Sequence, residues 1–389
     1  MRIGFDARWY NDSGVGTYVA ELLKAMASLP PVSGATTDQS SQLELVIYED
    51  PGNPVSGLEH AVERIPLTAP KYSLGGQMAL RRRCALDRLE VFHSPFYPIP
   101  LSLPCPVIVT IHDLIPFLFP INTWLKQFMV KSGYRVAAKR SSRIIAVSQH
   151  TAHDITKILR TSPAKITVVH NAVSPSAFHP SPGPSEPVHL ADRYGIHPPY
   201  VVVGSTRNWR TKNLGSALRA LALAQGYSGM NFQTVVCGLP DGFQAAGGPN
   251  AWKQLNLVQT GHLPAAELGC LFRHAHLSVI APLYEGFGLA VLEAMSCGCA
   301  VITSNGGSLP EVVGDAAQKF DPFDVTGMAK AATTLLTNPG ELKLWQERAV
   351  RRAADFSWAK AARETLSVYH QAAGKKQLAI RGTPGHVGN

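Results

Sequence analysis

The chain has 389 residues, 45% of them apolar and 16% charged, which excludes a disordered chain and asks for two domains rather than one core. The net charge of +9 is uneven: residues 64–165 hold fifteen Lys and Arg against four acids, a patch suited to anionic lipid surfaces or phosphorylated substrates. No nucleic-acid module, no run of 18 uncharged apolar residues, no leader-like start and no Cys-x-x-Cys pair among the six cysteines is present, so a cytosolic protein with reduced thiols and no nucleic-acid partner is expected.

Residues 2–7 read as a first strand. Asn11-Asp12-Ser13-Gly14-Val15-Gly16-Thr17 then forms a turn before an amphipathic helix carrying Tyr18, Leu22, Leu23 and Met26. Gly14-x-Gly16 lacks the third glycine of a dinucleotide loop, because Val19 fills its place. A loop that lets a donor or acceptor approach the backbone is the better reading. Residues 30–42 are a polar loop, 43–48 a second strand, and 78–89 a basic helix. Residues 106–111 are a buried strand ending at His112-Asp113, where the ligand crevice of an open α/β sheet lies. His112 either faces that crevice or is satisfied by backbone; Asp113 either orients it or caps the next turn. Residues 124–139 form a helix with Trp124, Phe128 and Val136 on one side and cations on the other, either a membrane-lying helix or one with a solvated basic face. Strands at 144–148 and 166–171 close the first half.

Pro- and Ser-rich residues 176–199 mark a linker between a first domain, 1–175, and a second, 200–355. The second half repeats the alternation, with strands at 200–204, 232–237, 257–260, 277–280 and 300–303. Two doubly wound parallel sheets facing each other across a cleft are expected. Residues 340–373 are helical without a strand partner; 356–375 are expected to pack back near the domain boundary, with a flexible tail at 376–389.

The richest stretch is Ala281-Pro282-Leu283-Tyr284-Glu285-Gly286-Phe287-Gly288-Leu289-Ala290-Val291-Leu292-Glu293. It reads as strand, glycine turn, helix. Such a joint leaves backbone N–H groups free for an anion such as a diphosphate. Glu285 falls in the turn and Glu293 about two turns into the helix, roughly 80° away around the axis, so the two acids would hold different parts of one ligand. The alternative is a plain joint with solvated acids. Upstream, Arg207, Arg210 and Lys212 lie between a strand and a helix, where cations would stabilise a leaving diphosphate. No Asp-x-Asp ends a strand, so no metal is expected.

Taken together these motifs resemble glycosyltransferase family 4, retaining, nucleotide-sugar-dependent enzymes of the GT-B fold. The match is strongest over residues 258–317, in Glu285-Gly286-Phe287-Gly288-Leu289-Ala290-Val291-Leu292-Glu293 and Ser304-Asn305-Gly306-Gly307-Ser308-Leu309-Pro310-Glu311-Val312-Val313-Gly314. Ala290, Ala300 and Ala172 stand where the family favours proline, proline and glycine. The resemblance implies that Glu293 holds the ribose and Glu285 the donor sugar. It implies that the N–H groups of Phe287, Gly288 and Leu289 meet diphosphate or sugar, that Lys212 binds phosphate and that His112 lies near the donor sugar. Gly14 and Gly16 would let the first loop close on the donor phosphate. An extra residue in the loop leaves the partner arginine open between Arg207 and Arg210. The implied activity is transfer of a hexose from a nucleotide-sugar, GDP-mannose first and a UDP-sugar second, to a glycolipid or polysaccharide acceptor of the cell surface. The site would be cytoplasmic, on the inner face of the membrane if the basic domain docks there. Rival readings are an epimerase or phosphorylase on the same architecture and a non-catalytic sugar-nucleotide-binding protein.

Overall fold

The computed structural model describes residues 1–10, 12–29, 43–58, 62–119, 123–183, 185–204, 209–238 and 252–374. Short apolar runs bounded by glycine, proline and polar turns become strands, and all of them pair in parallel. The first lobe contains β1 Arg2–Asp6, β2 Glu44–Glu49, β3 Glu63–Pro66, β4 Val91–Ser94, β5 Val107–Ile111, β6 Arg143–Ala146 and β7 Ile166–Val168. They form one sheet in the order β3-β2-β1-β4-β5-β6-β7. The second lobe contains β8 Tyr200–Val203, β9 Gln233–Cys237, β10 Asn256–Gly261, β11 Leu277–Ile280, β12 Ala300–Ser304 and β13 Gln318–Phe320. Their order is β10-β9-β8-β11-β12-β13. In each sheet the strand order reverses beside the first strand of the lobe, and that reversal opens a crevice at the strand ends. The expected pair of facing doubly wound sheets is therefore present.

Each sheet carries helices on both faces over separate apolar clusters. The 340–373 stretch is two helices, Pro339–Ala353 and Trp358–Ala372, the second capped by the Ser357 hydroxyl. The last helix returns to the first lobe and buries Val368 and Tyr369 in its core beside the Ser13–Ala27 helix. Within the Pro- and Ser-rich stretch a helix, Glu186–Tyr194, is tied to the second lobe by a bidentate Arg273–Glu186 pair. The expected tail at 376–389 lies outside the described residues. The six cysteines are buried and free. No helix among the described residues is long and apolar enough to cross a membrane.

Candidate active site

The second wall of the crevice is built on β11, whose four residues are fully buried. The chain leaves the strand at Ala281 and enters the Leu289–Ser296 helix through Gly288, whose φ of +96 suits glycine. The helix starts only at Leu289, so Glu293 lies one turn in rather than two, and the helical angle expected between the two acids does not apply. Among the described residues, no protein acceptor takes the N–H of Phe287, Gly288 or Leu289.

The loop after β12 clamps this turn from behind. The amide and hydroxyl of Ser308 both donate to the Glu285 carbonyl at 3.1 Å, and the Ser304 hydroxyl donates to the Pro282 carbonyl. Gly307, at φ +61, passes so close that a methyl there would fall 2.3 Å from the Glu285 carbonyl oxygen. The Gly306-Gly307 pair of the family block thus has a packing reason.

Lys212 ends the short helix Trp209–Lys212. Asn213 follows in the left-handed conformation, and its amide donates to the carbonyls of Ala281 at 3.0 Å and Pro322 at 2.6 Å. The Leu283 amide donates to the Thr211 carbonyl at 2.7 Å. These bonds fasten the lysine segment to the acid-bearing turn, and the Lys212 ammonium pairs with Glu285. Lys212 also acts on Glu293, whose carboxyl is pushed up to about 7 by burial and drawn partly back by that cation. Arg207 lies outside the described residues, and Arg210 stands two residues before Lys212 in the same helix.

The first wall contributes His112 at the end of β5. Its Nε2–H donates to the Pro95 carbonyl at 2.9 Å, which assigns the tautomer and leaves Nδ1 as an acceptor. Burial holds its pKa down to about 4, so the ring is neutral at pH 7. The Tyr18 ring meets it edge-on at 4.9 Å. Asp113 does not orient the imidazole: its carboxylate caps the next turn by accepting the Ile115 amide at 2.9 Å. Burial, with help from Glu285, raises Asp113 to about 6, and Lys212 opposes the rise.

The walls touch at Gly286. A methyl there would fall 1.9 Å from the His112 carbonyl oxygen. The Gly286 carbonyl accepts from the Ser148 hydroxyl at 2.7 Å and the Thr151 hydroxyl at 3.0 Å. Glu311 crosses the same seam, accepting the Gln149 amide at 2.9 Å and bonding His170 Nε2 at 2.6 Å. Tyr284 donates to Asp154 at 2.6 Å. Sequence reasoning assigned no role to Ser148, Thr151, Asp154 or Glu311, because their partners lie 130 or more residues away.

Gly14 and Gly16 are not in a free loop. The helix begins at Ser13, so both belong to its first turn, with Gly16 N–H bonded to the Asp12 carbonyl. Among the described residues no three metal-ligating side chains gather.

The site therefore joins a neutral acceptor imidazole, a lysine between two carboxylates and open amides at a helix start, at the strand ends of two facing sheets. Such an arrangement fits the GT-B class of sugar-transferring enzymes. Residues 13–177 match the model of glycosyltransferase family 4, and residues 194–352 that of glycosyl transferases group 1. The chain is 27% identical over 383 residues to O-antigen chain mannosyltransferase B of Escherichia coli, covering 92% of this chain and 96% of that one. It is 30% identical over 300 residues to alpha-maltose-1-phosphate synthase of Mycolicibacterium smegmatis, covering 68% and 73%. Its fold superposes on HepE of Anabaena, solved with UDP-glucose, with a TM-score of 0.71 at 17% identity, over 95% of this chain and 100% of that one. The chain belongs to the group 1, family 4 glycosyltransferases, and it is an enzyme of that kind.

Proposed function

We propose that the protein is a retaining hexosyltransferase of mannosyltransferase type. It takes a nucleotide-sugar, GDP-mannose first and a UDP-sugar second, and extends a glycolipid or polysaccharide of the cell surface. The observation that carries this reading is Lys212 paired with Glu285 and acting also on Glu293 and on Asp113, the residue after His112. The full-length likeness to an O-antigen chain mannosyltransferase supports the sugar and the acceptor class. The likeness of fold to a protein solved with UDP-glucose supports the donor class.

In this reading Glu293 accepts from the ribose hydroxyls. The amides of Phe287, Gly288 and Leu289 and the Lys212 ammonium hold the diphosphate, with Arg207 or Arg210 as the second cation. Glu285 and the free Nδ1 of His112 accept from hydroxyls of the donor sugar and orient it. The bond from the anomeric carbon to the diphosphate breaks as the acceptor oxygen attacks from the same face. The acceptor's proton passes to the departing phosphate oxygen. Lys212 and the arginine stabilise the charge that develops there, a role that in other transferases falls to a metal ion. Gly14 and Gly16 let the first helix approach the phosphate. The acceptor approaches past Phe96, whose ring lies 6.4 Å from His112, and the exposed Tyr72; the fully buried Trp9 supports both rings from beneath, at 5.0 Å from Phe96 and 5.1 Å from Tyr72.

We place the protein on an anionic membrane surface at the cytoplasmic face. The Trp124–Arg140 helix supports this, since it leaves Trp124 79% and Phe128 62% exposed beside a row of cations.

A thermal-shift screen with GDP-, UDP-, ADP- and dTDP-sugars tests the donor, and the anomeric proton coupling of the product tests retention. Glu285→Gln should lower kcat by about a hundredfold with small change in nucleotide affinity, the pattern of a group that orients the sugar. Donor isomerisation without acceptor, dependence on orthophosphate, or no nucleotide-sugar binding at all would sink the proposal.

A further inference from the structure

On the outer side of the first lobe, the Trp124–Arg140 helix, the Gln149–Leu159 helix and the segment after it enclose a cavity of about 620 Å³. Four cations line it, Arg135, Lys139, Arg160 and Lys165, together with the hydroxyl residues Thr161 and Ser162, and no acidic residue does. None of the four cations forms an ion pair among the described residues. Cations near helix ends commonly offset the negative end of the dipole. Here that need is met by Lys165, which donates to the carbonyls of Ala138 at 2.6 Å and Lys139 at 3.1 Å. The other three are surplus to it.

Arg160 carries a second signal. It terminates the Gln149–Leu159 helix in the left-handed conformation, at φ +53, where glycine or asparagine is the usual residue. An arginine there accepts backbone strain and places a guanidinium at the cavity mouth. The same helix face that brings Arg135 and Lys139 to the cavity brings the exposed Trp124 and Phe128 alongside. At about 100° per residue these four fall within roughly 60° of one another, so the expectation of aromatics on one side and cations on the other fails for Arg135 and Lys139. Phe128 and Arg135 are separated by about 10 Å along the axis. Aromatic rings at one end of a face and cations without a carboxylate partner at the other, Arg135 resting on the Phe117 ring at 5.4 Å, match the acyl boundary and the phosphate level of a bilayer.

We propose that this cavity is a headgroup site for an anionic phospholipid, separate from the catalytic cleft. The phosphate sits among Arg135, Lys139, Arg160 and Lys165, while Trp124 and Phe128 enter the acyl boundary. The proposal rests on the peripheral-membrane reading above and sharpens it: the four cations act as a site and not as part of a diffuse field.

The test is co-sedimentation of the full chain with phosphatidylcholine vesicles and with vesicles of equal parts phosphatidylcholine and phosphatidylglycerol. Two double variants each remove two charges: Lys139→Gln with Arg160→Gly in the cavity, and Lys126→Gln with Lys157→Gln outside it. Glycine suits the left-handed position at 160, so the first pair keeps its melting temperature. The cavity pair should lose about tenfold in partition to anionic vesicles and the outer pair about threefold or less. Transfer to a water-soluble acceptor should be unchanged in both. Inorganic pyrophosphate at millimolar concentration should compete for the four cations and so weaken vesicle binding of the wild type more than that of the cavity pair. Equal losses in the two pairs, or an equal effect of pyrophosphate on the wild type and the cavity pair, overturn the cavity assignment alone. Failure of the wild type to bind either vesicle overturns the membrane reading with it.

Discussion

In the second lobe, a methyl group on Gly286 would fall 1.9 Å from the His112 carbonyl oxygen, and one on Gly307 2.3 Å from that of Glu285. In the first lobe, a methyl on Gly14 would meet nothing within 4 Å. Both lobes bring glycines to a strand-to-helix joint, and packing requires Gly286 and Gly307 where it does not require Gly14. The crowded joint holds Glu285 in one geometry, because the carbonyls of Glu285 and Gly286 and the Leu283 amide are each bonded by a neighbouring segment. Around Gly14 the described residues leave room, which the proposed approach of a donor phosphate would use.

The largest effect should come from breaking the crowded joint. Gly286→Ala drives its new carbon into the backbone of His112, and neither side is a flexible side-chain end that can yield. We expect kcat to fall by a hundredfold or more, as displacement of about 1 Å in a reacting site does. The overpacking should also remove about 1–3 kcal/mol of stability. Steady-state kinetics paired with denaturant unfolding would read both. A fully active variant would show that the lobes meet differently in turnover.

A smaller and more specific effect is expected at Glu293. Burial raises its carboxyl to about 7, so the anion proposed to accept from ribose forms only as pH rises through that value. Nucleotide diphosphate affinity should therefore rise from pH 6 to pH 8. Glu293→Gln should flatten the rise and weaken binding at pH 8 by about tenfold, the worth of a charged hydrogen bond. Stability moves the opposite way. A carboxyl whose folded pKa is above its unfolded value helps the folded state fully at low pH and loses that help as pH climbs through 7. Asp113, raised to about 6, contributes the lower part of the same fall. Glu293→Gln should thus melt higher than wild type at pH 8 while binding nucleotide less well. Calorimetry across pH reads the binding, and thermal unfolding at the same pH values reads the stability; matching signs in the two would refute the assignment.

The smallest effect should be at the open joint. Gly14→Ala places a methyl in empty space on a helical residue, so the fold should be unchanged or about 0.4–1 kcal/mol more stable. Turnover should still fall by several-fold if the methyl intrudes on the proposed path of the donor phosphate. Unaltered kcat/KM would mean that the first turn of this helix stays clear of the ligand.

How much of this was readable along the chain depends on how local the cause is. The buried strands β5, β8 and β11 are short apolar runs, and their period and turn residues mark them directly. The edge strands β3 and β13 escaped notice, because Glu63–Pro66 and Gln318–Phe320 are only partly buried and carry no apolar run. The helix after β11 was legible, but its first residue was not: an unclamped chain would have no reason to hold residues 285–288 out of the helix. Asn213 in the left-handed conformation, which aims Lys212, is likewise set by carbonyls of Ala281 and Pro322 far along the chain.

The amino-acid sequence by itself determined the two β/α alternations, the glycine joints and the residue types of the donor site, since periodicity, turn chemistry and motif spacing act over a few residues. Only the tertiary structure decided the pairing of Lys212 with Glu285 across 73 positions and the contact of Gly286 with His112. It also decided the protonation balance of Asp113 and Glu293. Those depend on which surfaces exclude water and which charges face each other, and both are properties of the packed chain.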